Sequence, residues 1–256
     1  SFRKNKDNLN TMKISMKLPT KFLILIVLIT ISVSTASSLQ NTFHIVIDPG
    51  HGGNDLGATR DSFVESKIVL QIAQKIKTIL DKQKDITTTL TRADGSGLSL
   101  KKRVLLAHEL KADLFVSLHA NTSNSKSVQG MEFYFNSQIP KSLKTSPNIK
   151  LNAKEFSEAL FTAPTTTEVI TKIKADFEFY DKTQKSLLLT KTFKEKSSSE
   201  EQKSTIKRAP FYVIDHTSMP SALIELGFIS NRREAKKLAS EEHQNKIANL
   251  LTSALL

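Results

Sequence analysis

The stretch Ile45-Val-Ile-Asp-Pro-Gly-His-Gly-Gly53 decides the fold, because it joins a buried strand to a glycine turn. Three consecutive apolar residues, 45–47, are typical of a strand that is covered on both faces. Pro49 ends the strand, and the glycines after it allow backbone angles that other residues avoid. His51 therefore lies at the carboxyl end of a strand, where open α/β sheets bind their ligands. It is either a ligand for a metal or substrate, or a turn histidine without a function.

The composition of the 256-residue chain is that of an ordinary folded domain with a basic excess. Hydrophobic residues make up 39% and charged residues 24%. The formal net charge is +12, and +7 of it remains when residues 1–36, with six basic and one acidic residue, are set aside. This excess suits an acidic polymer as partner, but no nucleic-acid-binding signature is present, so we expect no nucleic acid. The absence of cysteine excludes disulfides, thiolate metal ligands and a cysteine nucleophile.

Residues 1–36 are typical of a secretory leader. A basic region precedes the apolar run Phe22–Ile31, and Ser34-Thr-Ala36 supplies small residues at a cleavage-like spacing. The run is shorter than the roughly 20 residues that span a bilayer, although an uncleaved anchor is the alternative. We therefore predict export to the periplasm, or to the cell wall if the source has no outer membrane. Membrane contact is expected only through this leader.

Strands and helices alternate along the rest of the chain. Apolar periodicity predicts helices over 64–82, 98–110, 231–239 and 241–255. Apolar and β-branched runs predict strands at 45–47, 86–91, 113–119, 129–135, 211–214 and 221–227. In the helix over 98–110, we expect Lys101–Arg103 to face outward. The order predicts a single α/β domain over 37–256, with a twisted, mostly parallel central sheet flanked by helices.

Residues 137–207 differ in character and are predicted to form a helical insertion. The segment is rich in Lys, Thr and Ser and is interrupted by three prolines. Helical periodicity nevertheless persists at 151–161, 166–181 and 184–196. A structureless loop of this length would be unusual in a compact domain. Helical hairpins inserted between two strands would account for the pattern.

Two histidines and two glutamates are the candidates for chemistry. His119 ends a strand as His51 does, and Glu65 opens a helix. These three match the two-histidine, one-carboxylate ligand set of hydrolytic zinc, with a fourth position for water. Glu225 stands in an apolar strand, where a carboxylate is costly unless it is paired, and it could take the proton of that water. The residues alone leave open that Glu65 is an ordinary helix N-terminal acid and that Glu225 is structural.

Four blocks of sequence, taken in order, resemble one known family. They are Asp48-Pro-Gly-His-Gly-Gly53 followed by Glu65; Thr91-Arg92, Leu100–Arg103 and Ala112-Asp-Leu-Phe-Val-Ser-Leu-His-Ala-Asn121; Gln129-Gly-Met-Glu-Phe-Tyr134; and Pro220-Ser-Ala-Leu-Ile-Glu-Leu-Gly-Phe-Ile-Ser-Asn231. These blocks are similar to those of the zinc-dependent N-acetylmuramoyl-L-alanine amidases, which cleave peptidoglycan between muramic acid and the peptide stem. The resemblance implies that His51, Glu65 and His119 bind Zn²⁺ and that Glu225 is catalytic.

The resemblance also implies the partners and a mode of control. The substrate would be peptidoglycan or its muropeptide precursors, in cell-wall remodelling or daughter-cell separation. In division-associated relatives, a helical segment at the place of 137–207 covers the zinc until an activator protein displaces it. Here Glu155, Glu158 or Glu168 could supply a fourth ligand, so we expect partial self-inhibition; a plain wall of the substrate cleft is the alternative. The chain departs from the family in lacking the further glycine usual after Gly57.

Two other functions compete with this one. The pattern S-x-x-K occurs at Ser99–Lys102 and Ser123–Lys126, as in serine D,D-carboxypeptidases that act on the same stems, but no K-T-G follows. The other alternative is a wall-binding protein without catalysis, which the competent residues at all four key positions argue against. Acylation by penicillin would identify the first, and equal activity of wild type and Glu225→Gln would remove Glu225 from the mechanism.

Overall fold

The structure, a computed structural model of the chain, describes residues 42–136, 166–199 and 203–256. Six strands form its central sheet: β1 (Phe43–Pro49), β4 (Ile86–Leu90), β5 (Leu114–Asn121), β6 (Met131–Asn136), β7 (Ser204–Ala209) and β8 (Ser221–Phe228). Their order across the sheet is β4-β1-β5-β8-β6-β7. Two short strands, β2 (Thr59–Arg60) and β3 (Phe63–Val64), pair with each other outside this sheet.

The central sheet is mostly parallel, as the sequence predicts. Strand β1 runs parallel to β4 and β5, β5 runs parallel to β8, and β6 runs parallel to β7. Within the described strands of this sheet, the one antiparallel pair is β6 with β8. Parallel neighbours need crossover connections, and helices supply them. The predicted α/β fold class is confirmed.

Six helices cover the two faces of the sheet within the described ranges: α1 (Glu65–Leu80), α2 (Leu100–Glu109), α3 (Thr166–Ser199), α4 (Tyr212–His216), α5 (Arg232–Leu238) and α6 (Glu241–Leu255). Helices α1, α3 and α6 bury apolar side chains against one face, where Ile47 and Ile224 belong to the core. Helices α2 and α4 cover part of the other face, where Val46 and Leu223 lie. Because successive side chains point to opposite faces, a strand covered on both sides has the continuous apolar run seen in β1.

The predicted strand at 211–214 is wrong, because residues 212–216 form the short helix α4. A short apolar run does not by itself distinguish a strand from a helix. The structure shows what favours the helix here: the buried Lys182 of α3 donates from Nζ to the carbonyl of Ile214 at 2.7 Å and to the carbonyl of Thr217. A lysine 32 residues before Ile214 thus binds carbonyls within and just after α4, and no local pattern reveals it.

The predicted insertion 137–207 also needs correction. Its last residues belong to β7, which pairs in parallel with β6 along its whole length. This edge strand has one strongly apolar residue, Ile206, so it carries little strand signal. The two helices expected at 166–181 and 184–196 are one continuous helix of 34 residues, with no glycine or proline between them to break it. The helix expected at 151–161 lies outside the described residues.

The leader predicted at residues 1–36 lies outside the described ranges as well, so the division of the chain at residue 37 stays a prediction. Among the helices that the structure describes, none combines the length and the apolar character needed to cross a bilayer. The longest, α3, is amply long but is rich in polar residues.

Candidate metal centre

His51, Glu65 and His119, far apart in the sequence, converge at the carboxyl end of the sheet. His51 follows β1, Glu65 opens α1, and His119 lies near the end of β5. Each offers a ligand atom, and these atoms all lie within 4.8 Å of one another. Nε2 of His51 is 3.1 Å, and Nδ1 of His119 is 3.0 Å, from Oε1 of Glu65. Ligand atoms of a tetrahedral zinc site lie about 3.3 Å apart, so this donor set fits such an ion.

The ring of His51 is held from its other side. Its Nδ1 lies 2.8 Å from Oδ2 of Asp55, whose Oδ1 accepts the backbone N–H of Gly57 at 3.0 Å. A carboxylate on the outer nitrogen fixes the ring and makes Nε2 a better donor to a metal. In the metal-free protein, the hydrogen bond with Glu65 raises the pKa of His51 to about 9 despite burial, and Asp55 contributes. A metal must therefore displace a proton from this imidazole.

The carboxylate of Glu65 is fixed by two backbone amides as well as by the histidines. Ala120 N–H donates to Oε1 at 2.9 Å, and Ala58 N–H donates to Oε2 at 2.7 Å. Burial acts to raise the pKa of Glu65, but the hydrogen bonds with His119 and His51 outweigh it and hold the pKa well below its ordinary value. Glu65 is therefore ionised at neutral pH and faces both imidazoles, which an ordinary exposed acid at a helix N-terminus would not do.

Two glycines lack the Cβ atom that would clash with the side chains of the cluster. A Cβ atom on Gly50 would lie 2.3 Å from Cε1 of His119. A Cβ atom on Gly57, whose φ is +67°, would lie 2.6 Å from Oε2 of Glu65. His51 itself has a φ of 61°, a left-handed conformation that is uncommon outside glycine and typical of functional sites. The glycine turn thus brings the backbone close to the metal-binding side chains.

The expectation that Arg103 faces outward is wrong, since it is only 2% exposed. Its Nη1 donates to Oδ1 of the buried Asp48 at 2.6 Å, and its Nη2 donates to the carbonyl of His51 at 2.7 Å. The hydroxyl groups of Thr91 and Ser117 also donate to Asp48. Helical periodicity shows which face of a helix a residue lies on, but it does not show that a buried carboxylate contacts that face.

Arg92 supports the same turn from another direction. Its Nε donates to the carbonyl of Pro49 at 2.9 Å, and its Nη2 donates to the carbonyl of Gly50 at 2.7 Å. Together with Arg103, it binds three successive carbonyls of the turn that carries His51. Arginines are rarely buried unless their charge is paired, but the sequence does not show that these two are buried. Neither this support nor the role of Asp55 followed from the sequence.

Glu225 lies beside the cluster in the sheet. It is paired in register with His119 of β5 on one side and with Glu132 of β6 on the other, so the three side chains share one face. It is 9% exposed, and its Oε2 finds no hydrogen-bond partner within the described residues. Burial raises the pKa of Glu225 to about 8, and the charges of Glu65 and Glu132 add to the effect. A structural acid would be expected to have its oxygens satisfied.

A cavity of about 410 Å³ opens beside the two histidines. Its wall includes three apolar side chains, Leu98 just before α2, Leu100 at its start and Val213 of α4, together with glycines and polar residues around the histidines. The cluster is therefore reachable from solvent through a space large enough for part of a substrate.

Comparison of the sequence with known proteins identifies the family of the chain. A family model described as N-acetylmuramoyl-L-alanine amidase matches residues 45–256. The chain belongs to this amidase family. LytC of Bacillus subtilis, an N-acetylmuramoyl-L-alanine amidase, is 29% identical to the chain over 224 residues, which are 86% of this chain but 37% of LytC. The uncharacterized protein YqiI of the same organism is 31% identical over 211 residues, which are 82% of each protein.

Solved structures of amidases share the fold. The catalytic domain of CwlV from Bacillus (Paenibacillus) polymyxa is 27% identical, with a TM-score of 0.61, and the match covers 83% of this chain and 95% of that one. The amidase AmiC2 of Nostoc punctiforme is 26% identical, with a TM-score of 0.62, covering 83% and 94%. The fold and the amidase family predicted from the sequence are thereby confirmed.

The remaining sequence candidates in the amidase have other contacts or lie outside the described part. His216, considered as a substrate contact, stacks on Tyr212 and has its Nδ1 2.9 Å from the carbonyl of that residue. Of the three proposed fourth ligands, Glu155 and Glu158 lie outside the described residues. Glu168 lies in α3, and its side chain is not described. The fourth-ligand hypothesis therefore stays a prediction.

Proposed function

We propose that this amidase hydrolyses the amide bond between N-acetylmuramic acid and L-alanine of peptidoglycan, using Zn²⁺ held by His51, Glu65 and His119. The observation that supports it best is the convergence of these three groups beside the buried Glu225, in a chain of this family. The biological setting we propose is cell-wall remodelling or daughter-cell separation.

The donor set fits zinc better than the other common divalent ions. Imidazole nitrogens suit zinc, whereas Mg²⁺ and Ca²⁺ prefer sites made of oxygen atoms. Two imidazoles and one carboxylate would hold the ion and leave a position for water. When bound, zinc would polarise the scissile carbonyl and lower the pKa of a coordinated water to about 7. Asp55 would keep His51 turned toward the ion.

Glu225 is the proposed general base and then the general acid. Its unpartnered Oε2 lies on the same sheet face as His119, one strand away. We propose that Glu225 takes a proton from the attacking water and gives it to the leaving amine nitrogen of L-alanine. The O–C bond forms as water attacks, and the C–N bond breaks as the amine is protonated. A zinc ion at the neighbouring cluster would lower the pKa of Glu225 from its metal-free value and so favour the ionised form that takes the proton. No other donor in the described chain competes for its free oxygen.

One structural observation counts against a serine carboxypeptidase. Ser99 of the S-x-x-K pattern at 99–102 is the N-cap of α2, where its side chain accepts the N–H of Lys102. An N-cap serine has a structural role in starting the helix. The second pattern, at Ser123–Lys126, lies in an exposed loop after β5. We therefore keep the metal-dependent amidase as the proposed activity.

Metal analysis combined with mass spectrometry of digested muropeptides tests the proposal. We expect about one zinc ion per chain. Digestion should release peptide stems with a free N-terminal alanine, leaving glycans whose lactyl groups carry no peptide. Chelator should stop the reaction and zinc should restore it, while penicillin should have no effect. Release of terminal D-alanine in place of whole stems, or activity that survives complete metal removal, would contradict the proposal.

We further propose, from the sequence, export by the leader and control by an activator protein acting on the insertion. The leader lies outside the described ranges, and so do residues 137–165 of the insertion. Their tests are export of a reporter fused to residues 1–36 and the deletion considered in the Discussion.

A further inference from the structure

A row of polar side chains continues from the metal cluster across the sheet. His119 of β5 is in register with Glu225 of β8, Glu225 is in register with Glu132 of β6, and Glu132 is in register with Thr205 of β7. Paired residues of neighbouring strands present their side chains on the same face. The row therefore leads from the proposed reaction centre to the edge of the sheet.

The far end of this row is open. Thr205 is exposed, and the side chain of Lys207, two residues further along the same face of β7, is 46% exposed. Helix α4 packs on β5, β6 and β8 of this face, and it makes few contacts at most with β7. The cavity on the other side of the cluster, beside α2, has mainly apolar walls. The two approaches to the cluster thus differ in chemistry.

Lys207 is held in place by Glu132. Its Nζ donates to Oε1 of Glu132, which is largely buried. The other oxygen of Glu132 accepts the hydroxyl of Tyr134 at 2.6 Å and the amide of Asn121 at 2.9 Å. Lys207 is also in register with Tyr134, and its ammonium lies 5.8 Å from the centre of that ring. Two contacts therefore fix the ammonium of Lys207, and two more fix the carboxylate of Glu132 that holds it.

The charges along the row permit an anion to bind. Lys207 neutralises Glu132, and an ammonium has three N–H donors, of which the described contacts use one on this carboxylate. The two positive charges of a divalent ion at the cluster would exceed the single negative charge of the ionised Glu65. A substrate anion placed at Lys207 would therefore not meet a net negative surface, and the fixed ammonium needs no reordering to receive it.

We propose that Lys207 binds a carboxylate of the peptide stem and so determines specificity, with Glu132 as the residue that positions it. This inference rests on the proposed function, because it assigns an orientation to the same substrate. The stem extends across β8 and β6 toward β7, and the muramic acid residue lies on the side of the apolar cavity near α2. We assign the two parts of the substrate to these two sides because the two approaches to the cluster differ in chemistry.

Two muropeptides that differ only in a free carboxylate or its carboxamide at the second stem residue test this assignment. We expect the zinc-loaded wild type to have a KM about 10-fold lower for the carboxylate form, the effect of one well-placed charge pair. Lys207→Gln should raise KM for the carboxylate form to that of the carboxamide form and leave kcat within about twofold. Lys207→Arg should keep most of the preference.

Arg208→Gln is the matched control, because it removes the same charge from the adjacent residue of β7, whose side chain lies on the opposite face against Phe135. It should leave the preference between the two muropeptides unchanged. Equal losses on both substrates in Lys207→Gln, or an equal effect of Arg208→Gln, would overturn the assignment.

Calorimetric binding of the same two muropeptides to zinc-loaded Glu225→Gln separates this inference from the proposed reaction. A carboxylate preference that disappears on adding Lys207→Gln supports the subsite even if the wild type releases no stem. Equal affinity for the two forms refutes the subsite even if the wild type is an active amidase. Unchanged melting temperatures would establish that both variants remain folded.

Discussion

Glu225 is the residue whose environment is hardest to explain by structure alone. Replacing it by glutamine keeps the shape of the side chain but removes the group that can take a proton. We expect Glu225→Gln to lower the hydrolysis rate about 10²–10⁴-fold, the usual contribution of general acid–base catalysis, while zinc content stays unchanged. Release of stems from purified wall and metal analysis measure the two quantities. Glu242→Gln, an exposed change on α6, serves as the control, and a fully active Glu225→Gln would refute the mechanism.

The stability of the metal-free protein should depend on pH through the same residue. The pKa of Glu225 is about 8 in the folded chain and about 4.5 when unfolded, so between these values the folded state holds more protons. Stability therefore falls as pH rises from about 4.5 through 8. In Glu225→Gln this part of the fall should disappear, which amounts to several kcal/mol between the two limits. Urea unfolding with chelator at pH 5 and pH 8.5 tests it; parallel curves for both proteins would contradict it.

The buried pair of Asp48 and Arg103 should matter more than its charge pattern in the sequence suggests. Arg103→Met leaves a buried carboxylate without its cation, which typically costs about 3–5 kcal/mol. It also frees the carbonyl of His51, so we expect weaker zinc binding in addition to a lower unfolding midpoint. Denaturant titration and zinc titration measure the two effects. Lys102→Met, on the exposed side of α2, should change neither.

The four residues proposed for chemistry could be found in the sequence because each stands at a strand end, a helix start or an apolar run. Their supports could not be found in this way. Asp55, Arg92 and Arg103 act through contacts that only the folded chain creates, and the charge of Arg103 made it look like part of a solvated helix face. A buried charge is predictable only when its partner is known.

At the scale of elements, α3 divides into two parts. The described side chains up to Asp181 are exposed or half-buried, whereas those from Lys182 onward include Ser186, Thr190 and Phe193 in the core. We expect deletion of residues 150–180 to change the melting temperature by only a few degrees, because the buried part of α3 remains. If the insertion is self-inhibitory, hydrolysis of purified wall should rise several-fold; unchanged or lost activity would count against self-inhibition.

Lys182→Met in the full-length chain is the contrasting variant. It keeps the length and the apolar stem of the side chain but removes the hydrogen bonds to the carbonyls of Ile214 and Thr217. These carbonyls then lie buried without their donor, so the melting temperature should fall clearly. The contrast between the two variants separates the structural part of α3 from the part available for regulation.

The strands and helices that sequence periodicity predicted correctly are those with an apolar face, such as α1 and β5. Those it predicted wrongly depend on neighbours. Strand β7 is polar and exists through its pairing with β6, and α4 is a short apolar run that α3 stabilises as a helix. Local pattern was sufficient where burial determined the pattern, and it failed where a tertiary contact determined the conformation.

At the scale of the whole molecule, zinc should bind with release of protons and should stabilise the fold. The pKa of His51 is about 9 without metal, so this imidazole carries a proton at pH 7.5 that zinc must displace. We expect about one proton released per zinc at this pH, and affinity that rises with pH up to about 9. Calorimetry in buffers of different ionisation enthalpy measures the count.

Zinc in large excess over its dissociation constant should also raise the melting temperature, by mass action on the folded state. His119→Ala should abolish both the proton release and the thermal shift. Binding without any release of protons would mean that His51 is not a ligand.

The overall architecture, in contrast to this chemistry, was predictable because alternating strands and helices permit few arrangements. The antiparallel contact of β6 with β8 was not, since periodicity does not determine strand direction.

Glu225 must keep its register with His119 and Glu132 for its carboxylate to face the metal cluster. Inserting or deleting one residue just before Glu225 would turn its carboxylate to the opposite face of the sheet, among the hydrocarbon side chains under α1 and α3. Length variation among homologues should therefore be rare within this strand and common between β6 and α3. In an alignment of many relatives, the columns around Glu225 should contain no gaps.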